Sequence, residues 1–199
     1  PDSQAIVKKA IVEKLKEKYD VDWFDETGAE YTVQVALLKD MATLTIDTSG
    51  SGLHKRGYRA NALDAPLKET LAAAMVELSY WNKDRILLDP FCGSGTIPIE
   101  AALIARNIAP GLNRHFASEK WERVPESLWK EERRKCYEAI DYDCMPEIYG
   151  SDIDPAAIEL AKANAELAGV DDCITFEVKP VQETELYGDY GCLITNPPY

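Results

Sequence analysis

The sequence lacks most of the features that tie a chain to a metal, a membrane or an oxidising compartment. Its five cysteines (Cys92, Cys136, Cys144, Cys173 and Cys192) are irregularly spaced and form no Cys-x-x-Cys pair, and its two histidines, His54 and His115, lie far apart. That pattern points away from a metal site or a disulfide framework and toward a reduced, cytoplasmic setting. No run of about 18 apolar residues occurs, so no transmembrane helix and no membrane partner are expected. The start, Pro1-Asp2-Ser3-Gln4, offers no basic stretch followed by an apolar one, so no signal peptide is visible. It also lacks Met, and the chain is expected to be a fragment of a longer one.

Positive charge is scarce as well. Lys and Arg number 22 against 35 Asp and Glu, for a net charge of −13. This excludes a protein that coats nucleic acid by bulk charge. The imbalance is local, however: residues 150–199 hold two basic and ten acidic side chains, whereas residues 1–60 hold nine and ten. The densest basic cluster, His54, Lys55, Arg56 and Arg59, falls in a glycine-rich stretch after Asp47. It reads either as a solvated linker or as a contact for RNA phosphates.

What is present is an ordinary globular composition. The 199 residues are 46% hydrophobic, enough to bury a core without staples. Val7, Ile11 and Leu15 recur at helical spacing, and residues 31–38 and 42–46 are β-rich with Lys39-Asp40 as a turn between them. This is too little for a complete α+β domain and reads as the tail of one. A helix is expected over 63–81, with Pro66 in its first turn. From there strands and helices alternate: a strand at 86–88, a helix at 96–105, a charged helix near 126–140, a strand at 148–151, a helix at 155–168 stopped by Gly169, and strands at 173–178 and 191–195. Alternation of this kind indicates a parallel α/β sheet, whose ligands bind outside the carboxyl ends of the strands.

Three motifs fall at such ends. Asp89-Pro90-Phe91-Cys92-Gly93-Ser94-Gly95-Thr96 joins a strand to a helix, where glycines admit a close backbone approach and the helix offers unpaired N–H groups. The Gly-x-x-x-x-Gly-Lys-Ser/Thr phosphate loop is absent, and Pro98 stands where the dinucleotide fingerprint needs a third small residue. The acid at Asp89 favours a zwitterionic or cationic ligand over a phosphate. In the second motif, Gly150-Ser151-Asp152-Ile153-Asp154, Asp154 suits the cap of a helix beginning at Pro155. Asp152 is left to accept the hydroxyls of a ribose, with Ile153 placed to pack on a purine. The third is Asn196-Pro197-Pro198-Tyr199. Asn196 and the Pro197 carbonyl can accept hydrogen bonds from an exocyclic amine and free its lone pair for attack on a methyl group. Tyr199 can stack on the base that carries the amine.

In this order the three motifs resemble the class I methyltransferases that use S-adenosylmethionine. The Pro-Cys nucleophile of the base-carbon methyltransferases is missing, and Cys92 reads as a small packing residue. Together with the stretch from Asp47 to Arg59 and Ala65-Pro66-Leu67, they resemble the THUMP-linked RNA guanine-N2 methyltransferases, specifically the bacterial branch acting on large-subunit ribosomal RNA. The resemblance covers nearly the whole chain. It implies a Rossmann-like methyltransferase sheet, incomplete at the C-terminus, preceded by the tail of an α+β THUMP domain. The domains would be a THUMP-like tail at 1–48, a linker at 49–62 and a methyltransferase part at 63–199. The cofactor, S-adenosylmethionine, would be held by Asp89, Pro90, Cys92, Gly93, Ser94, Gly95, Thr96, Asp152 and Ile153. Asn196, Pro197, Pro198 and Tyr199 would be catalytic, and His54, Lys55, Arg56 and Arg59 would contact RNA. The acid that members usually carry after the third strand is not matched here, where Pro180 stands near its place. The alternatives are the same chemistry on transfer RNA guanine or DNA adenine, and an inactive methyltransferase-like scaffold that binds RNA.

Overall fold

A computed structural model describes residues 2–59, 67–185 and 188–198 of the chain. It divides into two compact units, one formed by Pro1–Gly50 with Phe116–Pro125, the other by Ser51–His115 with Glu126–Tyr199.

The first unit begins with helix α1 (Asp2–Tyr19), on which Val7 and Ile11 are half-buried. Strands β1 (Thr32–Leu38) and β2 (Met41–Asp47) pair antiparallel from Thr32↔Asp47 to Leu38↔Met41. Lys39 and Asp40 take φ values of +48° and +60°, the geometry of a two-residue turn that matches the strand twist. The segment Phe116–Pro125, which sequence places within the methyltransferase part, joins this unit instead. The Ser118 backbone N–H and hydroxyl both donate to the Thr48 carbonyl, at 3.1 and 3.0 Å, and the Trp121 ring stacks on Tyr31 with centroids 4.7 Å apart.

The second unit is a four-stranded parallel sheet in the order β5-β4-β3-β6, formed by β3 (Leu87–Asp89), β4 (Ile148–Asp152), β5 (Ile174–Val178) and β6 (Cys192–Leu193). Helix α2 (Glu69–Leu78) is shorter than the sequence suggests. Ser79 ends it by donating both its N–H and its hydroxyl to the Val76 carbonyl. Pro66 lies outside the described residues. Helix α3 (Thr96–Ala105) packs against α2 and against α5 (Pro155–Ala168), and every residue from Thr96 to Leu103 is buried. A helix enclosed over most of its length is largely apolar, as Ile97, Ile99, Ala101, Ala102 and Leu103 make it, and its one buried carboxylate, Glu100, needs partners. With Leu87, Ile148, Val76 and Val170 these residues form the core. Helix α4 (Glu126–Glu138) buries no residue and carries i,i+4 ion pairs such as Glu126–Lys130 and Arg134–Glu138.

The strand order has a consequence for the site. From β3 the chain steps outward to β4 and β5, then returns to place β6 on the other side of β3. The reversal lies between β3 and β6, where open parallel sheets form a ligand crevice at their carboxyl ends.

Candidate active site

The loop between β3 and α3 is set by two glycines in left-handed conformation, Gly93 at φ +52° and Gly95 at φ +78°. At Gly95 space is also missing, since a Cβ would sit 3.0 Å from Ala161 Cβ and from Phe176 Cζ. The loop is tied on three sides. The Cys92 N–H donates to the Ser151 carbonyl at 2.9 Å, the Gly93 N–H to Asp152 Oδ2 at 3.0 Å, and the buried Asn164 amide to the Ser94 carbonyl at 3.0 Å. Gly150 on β4 lets the neighbouring strand carry Phe176 close, because a Cβ there would meet that ring at 2.8 Å.

Of the two acids of the second motif, Asp154 is the expected helix cap. Asp154 caps α5, accepting the Ala156 N–H at 2.9 Å with Pro155 in the first turn. Asp152 accepts the Asp154 N–H on Oδ1 and the Gly93 N–H on Oδ2, both at 3.0 Å. A carboxylate oxygen has two lone-pair directions, so each keeps acceptor capacity for a ligand hydroxyl. Beside it the Ile153 side chain is 73% exposed.

Asp89 is different. It is 1% exposed, and its Oδ1 accepts the Phe91 N–H at 3.2 Å and the Thr195 hydroxyl at 2.7 Å. Burial raises its pKa to about 6, against the pull of these two hydrogen bonds, and the nearby Asp152 charge adds to the rise. Burial also pushes the Cys92 thiol well above its ordinary range, which disfavours the thiolate that a nucleophile needs. Ser94 and Thr96 are buried as well, their hydroxyl oxygens 3.4 Å apart.

A cleft of about 460 Å³ brings the three motifs together. It is lined by Pro90 and Phe91 of the first loop, Asp152 and Ile153 of the second, and Asn196, Pro197 and Pro198 of the third. Pro180, Val181 and Gln182 complete its wall after β5. Tyr199 lies outside the described residues. Sequence reasoning singled out neither Phe91 nor Thr195. The aromatic ring inside the first motif was the available signal for Phe91. No local pattern marks Thr195, whose partner Asp89 is 106 residues away.

The basic cluster is not an open linker. Arg56 pairs with the buried Glu100 at 3.4 Å, and the buried Tyr58 hydroxyl donates to the other oxygen of Glu100 at 2.9 Å. Burial raises the Glu100 pKa, with Arg56 opposing that rise. Arg59 pairs with the buried Glu69 at 2.8 Å and donates to Thr96 Oγ1 at 3.0 Å. Both guanidinium groups thus balance carboxylates inside the second unit, while Lys55 is exposed and His54 half-buried. Among the described residues no group of three or more His, Cys, Asp or Glu side chains is placed to hold a metal ion. Nor is any described helix long and apolar enough to cross a membrane.

Comparison with known proteins agrees with this geometry. Residues 56–199 match the family described as RMKL-like, methyltransferase domain, and residues 1–47 match the THUMP domain. A protein of Bacillus subtilis (strain 168), YpsC, named as a candidate RNA methyltransferase, is 54% identical over 100% of this chain and 52% of its own length. The ribosomal RNA large subunit methyltransferase K/L of Shewanella sediminis is 42% identical over 97% of this chain and 28% of its own. The chain therefore spans about half the length of the first of these relatives and less of the second. Among solved structures, SMU.472, described as a methyltransferase candidate in complex with S-adenosylhomocysteine, is 44% identical with a TM-score of 0.91, over 98% of this chain and 52% of that one. On the extent of the first match, which takes in the sheet and all three motifs, the chain belongs to the RMKL-like methyltransferase domain family, with a match to the THUMP domain before it.

Proposed function

We propose that the protein transfers the methyl group of S-adenosylmethionine to the exocyclic N2 amine of guanine in large-subunit ribosomal RNA. The observation that carries this reading is the cleft in which Asp152, Phe91 and Asn196-Pro197-Pro198 meet at the carboxyl ends of the sheet. The residues present fit the cofactor. Left-handed Gly93 and Gly95 shape a cradle for the methionine part, Asp152 has spare lone pairs for the ribose, and exposed Ile153 offers an apolar face to the adenine. When bound, the cofactor supplies an electrophilic methyl group on a sulfonium.

The chain's own residues do the rest. Asn196 Oδ1 and the Pro197 carbonyl accept hydrogen bonds from the amine and draw its lone pair out of conjugation with the ring. Pro197 and Pro198 fix φ, so these acceptors are held without further ordering cost. Tyr199 is assigned the stacking of the base, from the resemblance. Rate comes from orientation and polarisation, with no covalent enzyme intermediate. RNA contact is assigned to Lys55 and His54 of the basic cluster, with Arg56 and Arg59 supporting the segment that carries them. The THUMP part and the name of the Shewanella relative favour ribosomal RNA in the cytoplasm as the setting.

The test is Asn196→Ala in the full-length enzyme. It should reduce turnover at least about 100-fold while S-adenosylhomocysteine binds within about threefold of wild type. Unchanged turnover would refute the assignment, and failure of the wild-type protein to bind S-adenosylhomocysteine would favour an inactive scaffold.

A further inference from the structure

The β3–β6 ladder stops one residue short of the chemistry. Its last backbone rung joins the Ile194 N–H to the Leu88 carbonyl at 3.1 Å. Beyond that point the strands are joined by a side-chain bond, from the Thr195 hydroxyl to Asp89 Oδ1 at 2.7 Å. This bond crosses the place where the strand order reverses, the point at which such sheets open into a crevice. The same oxygen accepts the Phe91 N–H and so holds the start of the glycine loop. One buried oxygen thus grips the first loop by its backbone and the third motif by the residue just before Asn196.

We propose that Thr195 is a positioning residue, whose hydroxyl acts through Asp89 to fix the distance between the loop that holds the methyl donor and the Asn196-Pro197 acceptors that hold the amine. The inference rests on the proposed amine methyl transfer. Asn196, Pro197 and Pro198 are exposed, whereas Ile194 just before Thr195 is buried, so among the described residues Thr195 is where this segment leaves the core. The Thr195 hydroxyl favours the ionised form of Asp89, opposing the burial that raises the carboxyl's pKa. A bond to a charged acceptor is the stronger kind, which suits a positioning role. Misplacement of reacting groups by about 1 Å costs on the order of 100-fold in rate.

Thr195→Val removes the donor and keeps the shape, whereas Thr195→Ser keeps the donor. In the full-length enzyme, with a ribosomal RNA transcript as acceptor, Thr195→Val should lower kcat about 10–100-fold. Its S-adenosylhomocysteine affinity should stay within about threefold of wild type, and Thr195→Ser should restore kcat to within about threefold. A Val variant with wild-type kcat, a Val variant that loses ligand affinity as much as rate, or a Ser variant as slow as Val would each overturn the proposal. Asn196→Ala measured in parallel separates the two claims. If it is inactive while Thr195→Val runs at full rate, only the role of Thr195 falls. If Asn196→Ala keeps full turnover, the amine-holding function itself fails.

Discussion

Asp89 and Asp152 each end one of two neighbouring parallel strands, yet their surroundings differ. Asp89 is sealed inside, its carboxylate turned to Phe91 and Thr195 and its pKa raised to about 6. Asp152 lies on the cleft wall, half-buried, with one backbone N–H on each oxygen. The difference lies in what each strand leads into. After Asp89 the chain turns at once into a loop and the largely buried α3. After Asp152 comes exposed Ile153 and then a helix capped by Asp154, so the carboxylate stays open to a ligand. An acid at a strand end is thus open to a ligand only where the following segment leaves it uncovered.

That contrast can be broken experimentally. The largest effect is expected at Asp152. Asp152→Ala removes the proposed ribose acceptor and the partner of the Gly93 N–H, and should weaken S-adenosylhomocysteine binding by about 100-fold, or ~2–3 kcal/mol, in calorimetry. Asp89→Ala should instead lower the melting temperature, because it orphans the Thr195 hydroxyl and the Phe91 N–H. Next comes Gly95→Ala, which meets both a left-handed φ and two atoms at 3.0 Å. It should destabilise the fold by about 1–3 kcal/mol in chemical denaturation.

A smaller effect, of opposite sign, is expected for Asp89→Asn. The Asp89 pKa rises on folding from 3.8 to about 6, so the folded state binds the proton more tightly than the unfolded one. Its contribution to stability is therefore full below about pH 4, is lost as pH rises through 6, and stays lost above. Asn keeps an acceptor without the charge and without the cost of burying it beside Asp152. Asp89→Asn should stabilise the protein by about 1–2 kcal/mol at pH 8 and by little at pH 4, read from melts at the two pH values. The smallest effect is expected at the exposed Lys55. Lys55→Ala should weaken RNA binding only severalfold and reduce the slope of log K against log salt by about 1.

The sequence made the scaffold of the site legible, because its signals are local. A strand, two glycines and an apolar helix follow one another within twenty residues, and the structure places α3 at the expected bounds, Thr96–Ala105. The split between Asp152 and Asp154 was also readable, since Pro155 marks the first turn of α5 and leaves one acid for the cap. What could not be read were partners far apart in the chain. The cluster of Arg56 and Arg59 looks like free positive charge in a glycine-rich stretch, and only the fold brings Glu100 and Glu69 to it. In the same way Trp121 finds Tyr31, which draws Phe116–Pro125 into the first unit although nothing in its own composition says so. Periodicity reports which face a residue takes. It does not report which distant residue meets that face.

The proposed joining of a methyl donor to an exocyclic amine in the cleft is open to one direct measurement. The full-length protein is incubated with ribosomal RNA and S-adenosylmethionine carrying a labelled methyl group, and the labelled nucleoside is identified. Label is expected in N2-methylguanosine with wild-type protein and none with Asn196→Ala. Label on a ring carbon, or label that persists in Asn196→Ala, would contradict it.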